Sequence, residues 1–172
     1  SGTTGSGKTI FLYSILVSLL NQFSPEELQL LVIDPKMTDF AYFDDIPQYL
    51  YGGHVIVDSD EALEALSKIN DEDKVERTSI LRTAKCRDIT EYNSKHPSSK
   101  MKRLVVVIDE YADLIQTAEM LGTRKDFEKM LIFLAQRVRS LGIHLVIATQ
   151  RPSANIVTGV LKTNIPYRIS FK

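Results

Sequence analysis

Three stretches of the chain are apolar with little interruption, and each runs into charged or turn-forming residues. Leu28–Ile33 leads into Asp34-Pro35-Lys36, residues 104–108 lead into Asp109-Glu110, and residues 143–148 lead into Thr149-Gln150-Arg151-Pro152-Ser153. Short runs of this kind predict strands buried on both faces, as in a parallel sheet. Residues 54–57 predict a further short strand, and residues 165–171 predict a last one. A helical period fills the intervals. Residues 8–22 read as a helix, largely apolar from Ile10 to Leu20. Ala62, Leu63, Leu66 and Ile69 form an apolar stripe behind a cap at Asp58 or Ser59. Phe127, Met130, Leu131, Leu134, Val138 and Leu141 share one face across about 125–141, with Gly142 as the expected stop. Residues 37–53 are aromatic and irregular, and their packing onto the domain is favoured over stacking on a base. The charged run 71–77 is expected to be solvated or at a subunit interface. The fold class that follows is α/β, a mostly parallel sheet flanked by helices.

At 172 residues the chain is long enough for one domain with a sizeable core, and 25% charged residues mark a globular protein. No apolar run approaches a membrane span. The single cysteine, Cys86, cannot form an internal disulfide, which fits a reducing compartment. His54, His96 and His144 are far apart and read as structural, and no zinc-ligand cluster, repeat or low-complexity segment occurs. The formal net charge is -1, but it is unevenly spread. Residues 129–172 hold 7 Lys/Arg and no Asp or Glu, whereas all 22 acids precede them. A basic block on an acidic body points to a polyanion partner, unless these cations pair with acids of the body.

The chemistry starts at Gly2-Thr3-Thr4-Gly5-Ser6-Gly7-Lys8-Thr9, which fits the phosphate-binding P-loop, G-x-x-x-x-G-K-[ST]. Glycines let successive N–H groups point at one anion, and the helix that begins there adds its positive end. In this reading Lys8 reaches the β- and γ-phosphates of ATP, and the Thr9 hydroxyl ligates Mg²⁺. A chance glycine-rich turn is the alternative, disfavoured by the helix-compatible run behind it. A buried strand ending in two carboxylates needs a cation or a partner. Asp109 is therefore expected to support the metal and Glu110 to activate water as general base. Gln150, at the end of another strand, is expected to sense the γ-phosphate. A P-loop normally follows a buried strand and only Ser1 precedes this one, so the chain is expected to be a piece of a longer protein.

Together with Ile33-Asp34-Pro35-Lys36-Met37, Val107-Ile108-Asp109-Glu110-Tyr111-Ala112-Asp113-Leu114, Gly142-Ile143-His144-Leu145 through Ala148-Thr149-Gln150-Arg151-Pro152-Ser153, and Asn164-Ile165-Pro166-Tyr167-Arg168-Ile169, the P-loop resembles the motor domain of FtsK/SpoIIIE DNA translocases. The resemblance runs through nearly the whole chain in the right order. It implies a RecA-like domain over residues 1–172, partial, without the strand before the P-loop and without the C-terminal strands. It also implies a homo-hexameric ring, ATP between subunits, double-stranded DNA in the channel, and a cytoplasmic motor of a membrane-anchored bacterial protein. The processes it suggests are chromosome segregation and DNA transfer. An arginine given to the neighbouring site is expected at Arg139, with Arg77 as the alternative. DNA phosphates are expected to meet Arg151 and Lys162, with Ser153 and Thr163 adding neutral hydrogen bonds. The segment between the P-loop and Asp109 is shorter and more acidic than the family's usual one. Two other functions fit the same motifs: a type VII secretion ATPase that exports protein, and a nucleotide-binding assembly module without turnover.

Overall fold

The computed structural model describes residues 7–37, 39–137, 139–165 and 167–171. Its centre is a parallel sheet of three strands, β1 (Leu28–Ile33), β2 (Arg103–Ile108) and β3 (Ile143–Ile147), in the order β1-β2-β3. Ile33 stands beside Ile108, and Ile108 beside Ile147. Asp34, Asp109 and Ala148 therefore leave the sheet at one level, and this carboxyl edge is where open α/β sheets gather ligands.

The period of two divides the strand residues between two cores. Leu28, Leu30, Val32, Val105 and Val107 pack with Leu12 and Leu16 of α1 (Lys8–Gln22) and with Phe40, Phe43 and Leu50. Leu31, Ile33, Leu104, Val106 and Ile108 face the helices of the other side. These are α2 (Ser59–Lys68), α3 (Lys74–Thr83), α5 (Tyr111–Met120) and α6 (Arg124–Arg137); α4 (Ile89–Lys95) lies between α3 and β2 in the chain. Each fully buried Leu or Ile contributes about 1.5–3 kcal/mol through removal of its side chain from water. Asp58 caps α2 by accepting from the N–H groups of Asp60 and Glu61.

Helix α1 and strand β1 match their expected bounds. The aromatic segment forms short 3-10 turns in which Phe40 and Phe43 pack as expected, Phe40 fully buried and stacked on Tyr13 at a centroid distance of 5.2 Å, whereas Tyr42 is exposed. The charged run is helical: a π-turn at Ile69–Asp73 continues into α3.

Three expectations are corrected. Residues 54–57 form no full strand; Ile56 makes one parallel bridge to Ile33 at the edge of β1. Helix α6 ends at Arg137, not near 141; Val138 of the expected stripe lies outside the described residues, and beyond it Arg139 O accepts from Gly142 N and Ser140 O from Ile89 N. Gly142 then turns the chain into β3 at φ 74°, and a Cβ there would lie 2.4 Å from Ile89 Cδ1. Residues 167–171, within the expected last strand, adopt none. Before them, residues 159–164 form a short helix, α7 (Gly159–Asn164), capped by the Thr158 hydroxyl.

Candidate functional site

Of the expected phosphate loop, Gly2, Thr3, Thr4, Gly5 and Ser6 lie outside the described residues. Gly7 caps α1 with φ 90°, a left-handed conformation open to glycine. Lys8 follows, buried although charged. Its ammonium donates to Asp109 Oδ1 at 2.7 Å and lies 3.7 Å from Glu110 Oε2. The first turn of α1 and the end of β2, 101 residues apart, thus meet in one buried ion cluster. Burial pushes the Asp109 carboxyl above its ordinary range, and the hydrogen bond from Lys8 opposes it.

Glu110 adopts φ 53°, which costs a residue with a Cβ about 1–2 kcal/mol. Its carboxylate is nearly inaccessible and is held by the end of β3. Thr149 Oγ1 donates to Glu110 Oε1 at 2.9 Å, and the Gln150 N–H reaches both oxygens at 3.1 Å. Thr149 Oγ1 also accepts from the Arg151 N–H at 3.1 Å. From the β1 side, Lys36 Nζ lies 3.8 Å from Glu110 Oε2 and 3.4 Å from Asp113 Oδ2. Asp34 is structural: its buried carboxylate accepts from the N–H groups of Lys36, Asp39 and Phe40.

Lys8, Thr9, Asp109, Glu110 and Gln150 were singled out in the sequence, and Lys8, Asp109, Glu110 and the Gln150 N–H come together. Thr149 and Asp39 were missed. Thr149 carried a usable signal, a hydroxyl just past the end of an apolar strand and next to a residue that was already a candidate. Asp39 carried none, since its partner Thr9 is 30 residues away. Thr9 and Asp109 offer the hard oxygen donors that Mg²⁺ prefers. Among the described residues no group of three His, Cys, Asp or Glu could hold a metal. Such a donor set fits an ion that keeps waters and binds nucleotide phosphates.

The two candidate arginines lie at the amino end of the strands, opposite this cluster. Arg139 is exposed in the turn between α6 and β3, beside a recess of about 340 Å³ lined by His144, Asn164 and Tyr167. Arg77 is committed to its own chain: Nη1 donates to Lys102 O at 2.7 Å and to Leu141 O at 2.9 Å. It staples the approaches to β2 and β3, and burial lowers its pKa. Arg77→Ala is expected to destabilise the fold by about 1.5–3 kcal/mol, the range for hydrogen bonds from a charged group, read as a lower midpoint in urea unfolding.

Arg151 and Ser153 are exposed after β3, and Lys162 and Thr163 lie on α7. Lys162 shares a recess of about 280 Å³ with Thr149, Pro152 and Arg168, which brings it beside the segment that carries Arg151. The Thr163 hydroxyl donates to Gly159 O at 2.9 Å and so serves its own helix.

A lysine at a glycine-led helix start, facing two acids at the end of a neighbouring parallel strand, defines a P-loop ATPase fold. Comparison with known proteins narrows the class. The profile of the FtsK/SpoIIIE family matches residues 1–154, and the chain belongs to that family. It is 45% identical to the DNA translocase FtsK of Campylobacter jejuni over 100% of its own length and 18% of that protein. Against the DNA translocase FtsK of Borreliella burgdorferi it is 43% identical over 99% of this chain and 21% of that one. The chain thus spans about a fifth of the curated relatives it matches. Among solved structures, the pCW3 conjugation coupling protein TcpA, in a monomer form with ATPγS, superposes with a TM-score of 0.83 at 33% identity, over 98% of this chain and 46% of that one. The cytoplasmic domain of the type VII secretion ATPase EccC from Thermomonospora curvata gives 0.78 at 26% identity, over 98% of this chain and 20% of that one. No helix among the described residues is long and apolar enough to cross a membrane.

Proposed function

We propose that residues 1–172 are part of the ATP-hydrolysing motor domain of a double-stranded DNA translocase, working as a homo-hexameric ring. The observation that carries the catalytic part is the buried meeting of Lys8, Asp109 and Glu110. Lys8 binds the β- and γ-phosphates, Thr9 and Asp109 hold Mg²⁺, and Glu110 takes the proton of the attacking water. Bound Mg²⁺ supplies charge neutralisation on the phosphate oxygens. Thr149, which donates to Oε1, and the Gln150 N–H, which reaches both oxygens, hold the Glu110 carboxylate with Oε2 on the side of Lys8. The Gln150 side chain reports the γ-phosphate. In a full-length protein such a motor would lie on the cytoplasmic side of a membrane anchor, in chromosome segregation or DNA transfer.

The named relatives at 40–45% identity favour DNA as the substrate, and the basic block after residue 128 agrees. The test is the ATPase rate of the complete protein with and without duplex DNA. Stimulation supports a DNA motor, indifference to DNA points to the protein-export branch, and no turnover points to an assembly module. DNA contact is assigned to Arg151 and Lys162, with Ser153 and Thr163 nearby. A motor that grips any sequence binds phosphates and not base edges. Arg151→Ala with Lys162→Ala is expected to weaken binding evenly across sequences. A salt titration should show the slope of log affinity against log salt flattened by ~0.9 per lost phosphate contact. An unchanged slope, with basal ATPase intact, removes both residues from the DNA path.

A further inference from the structure

We propose that Asp39 sets the Thr9 hydroxyl for the magnesium ion of the bound nucleotide. The inference rests on the reading of Gly7-Lys8-Thr9 as a phosphate site. Thr9 Oγ1 donates its hydrogen to Asp39 Oδ2 at 3.1 Å. A hydroxyl has one hydrogen and two lone pairs, and it binds a hard cation through a lone pair. Its hydrogen then needs an acceptor on the side away from the cation. Asp39 is that acceptor. Without it the hydroxyl is free to turn, and threonine in a helix readily bonds back to its own backbone.

The position of Asp39 is built from both sides. Its N–H is bound by Asp34 Oδ2 at 3.1 Å, from the end of β1. Its carbonyl accepts from the hydroxyl of Tyr13, one helical turn beyond Thr9 on α1. The next residue, Phe40, is anchored in the core against the Tyr13 ring. With its backbone gripped by a strand end and a helix, Asp39 extends only its side chain to Thr9. Asp39 is therefore a positioning residue: it acts on the cation through Thr9.

The test is the affinity of the complete protein for ATPγS, measured once with Mg²⁺ and once with EDTA. Asp39→Ala is expected to weaken binding about 10–100-fold in Mg²⁺, the usual effect of removing the partner of a metal ligand, and to change little in EDTA. Asp39→Asn keeps an oxygen acceptor and should stay close to wild type. Thr9→Val should lose as much as Asp39→Ala, and the double variant should lose no more than Thr9→Val, since both changes remove one interaction. Asp39→Ser, too short to reach Thr9, repeats the test should Asp39→Ala not fold. Wild-type Mg²⁺ dependence in Asp39→Ala, equal losses in Mg²⁺ and EDTA, or additive losses in the double variant would each overturn the assignment. Lys8→Ala is the control for the underlying site and should abolish binding under both conditions. If it binds normally, the phosphate-site reading fails; if it does not, and Asp39→Ala matches wild type, only the role of Asp39 fails.

Discussion

Glu110→Gln is expected to slow ATP hydrolysis by roughly 10²–10⁴-fold, the usual contribution of a general base, while ATP still binds. The amide is nearly isosteric, and its oxygen can keep accepting from Thr149 Oγ1 and the Gln150 N–H. The side chain therefore stays in place but can no longer take a proton. Binding survives because Lys8 loses none of its reach to phosphate. It loses a carboxylate 3.7 Å away and so becomes a less neutralised cation. Single-turnover hydrolysis and nucleotide affinity, measured in the complete protein, separate the two effects. Wild-type turnover in Glu110→Gln would remove Glu110 from the base role.

The largest expected effect belongs to Arg139. An arginine supplied to a neighbouring phosphoryl-transfer site is worth ~10³–10⁵ in rate. Within one chain Arg139 is poorly placed to reach the phosphates, because it precedes the five residues of β3 while the ion cluster lies beyond the strand's far end. At ~3.3 Å per residue that separation is roughly 16 Å. Arg139 is exposed, whereas Arg77 at the same end is bound to two carbonyls of its own chain. Arg139→Ala is expected to abolish steady-state hydrolysis with nucleotide affinity intact. Mixing Arg139→Ala with Lys8→Ala subunits should restore part of the rate, since some interfaces then pair an intact site with an intact arginine. No rescue in rings shown to be mixed would exclude this role.

The parts of the fold written in local pattern were the legible ones. Residues 28–33 and 104–108 are apolar on both faces and stop at charge, so their burial, length and parallel pairing could be expected together. Helix α5 is not among the expected elements although Ala112, Leu114, Ile115 and Ala118 carry its period. The end of α6 was placed too late; beyond it Ser140 O accepts from Ile89 N, a tertiary contact absent from the local sequence. The same distinction holds in the site. Lys8 and Glu110 announce themselves by residue type and position. Asp39 looks like one more acid in an acidic stretch until the loop wound around Asp34 delivers it to Thr9. Thr149 matters through Glu110, 39 residues earlier.

Consecutive residues of a strand have opposite parity, one up and one down. Asp109 and Glu110 are consecutive, yet both lie within 4 Å of one ammonium, at 2.7 Å and 3.7 Å. The left-handed backbone of Glu110 reconciles the two facts, because it breaks the alternation at the point where the strand ends. The order Asp-Glu is thus a sentence whose second word is read in a different grammar. Moving the pair by one position along β2, or grafting it onto another strand without the left-handed turn, would send one carboxylate to each side of the sheet.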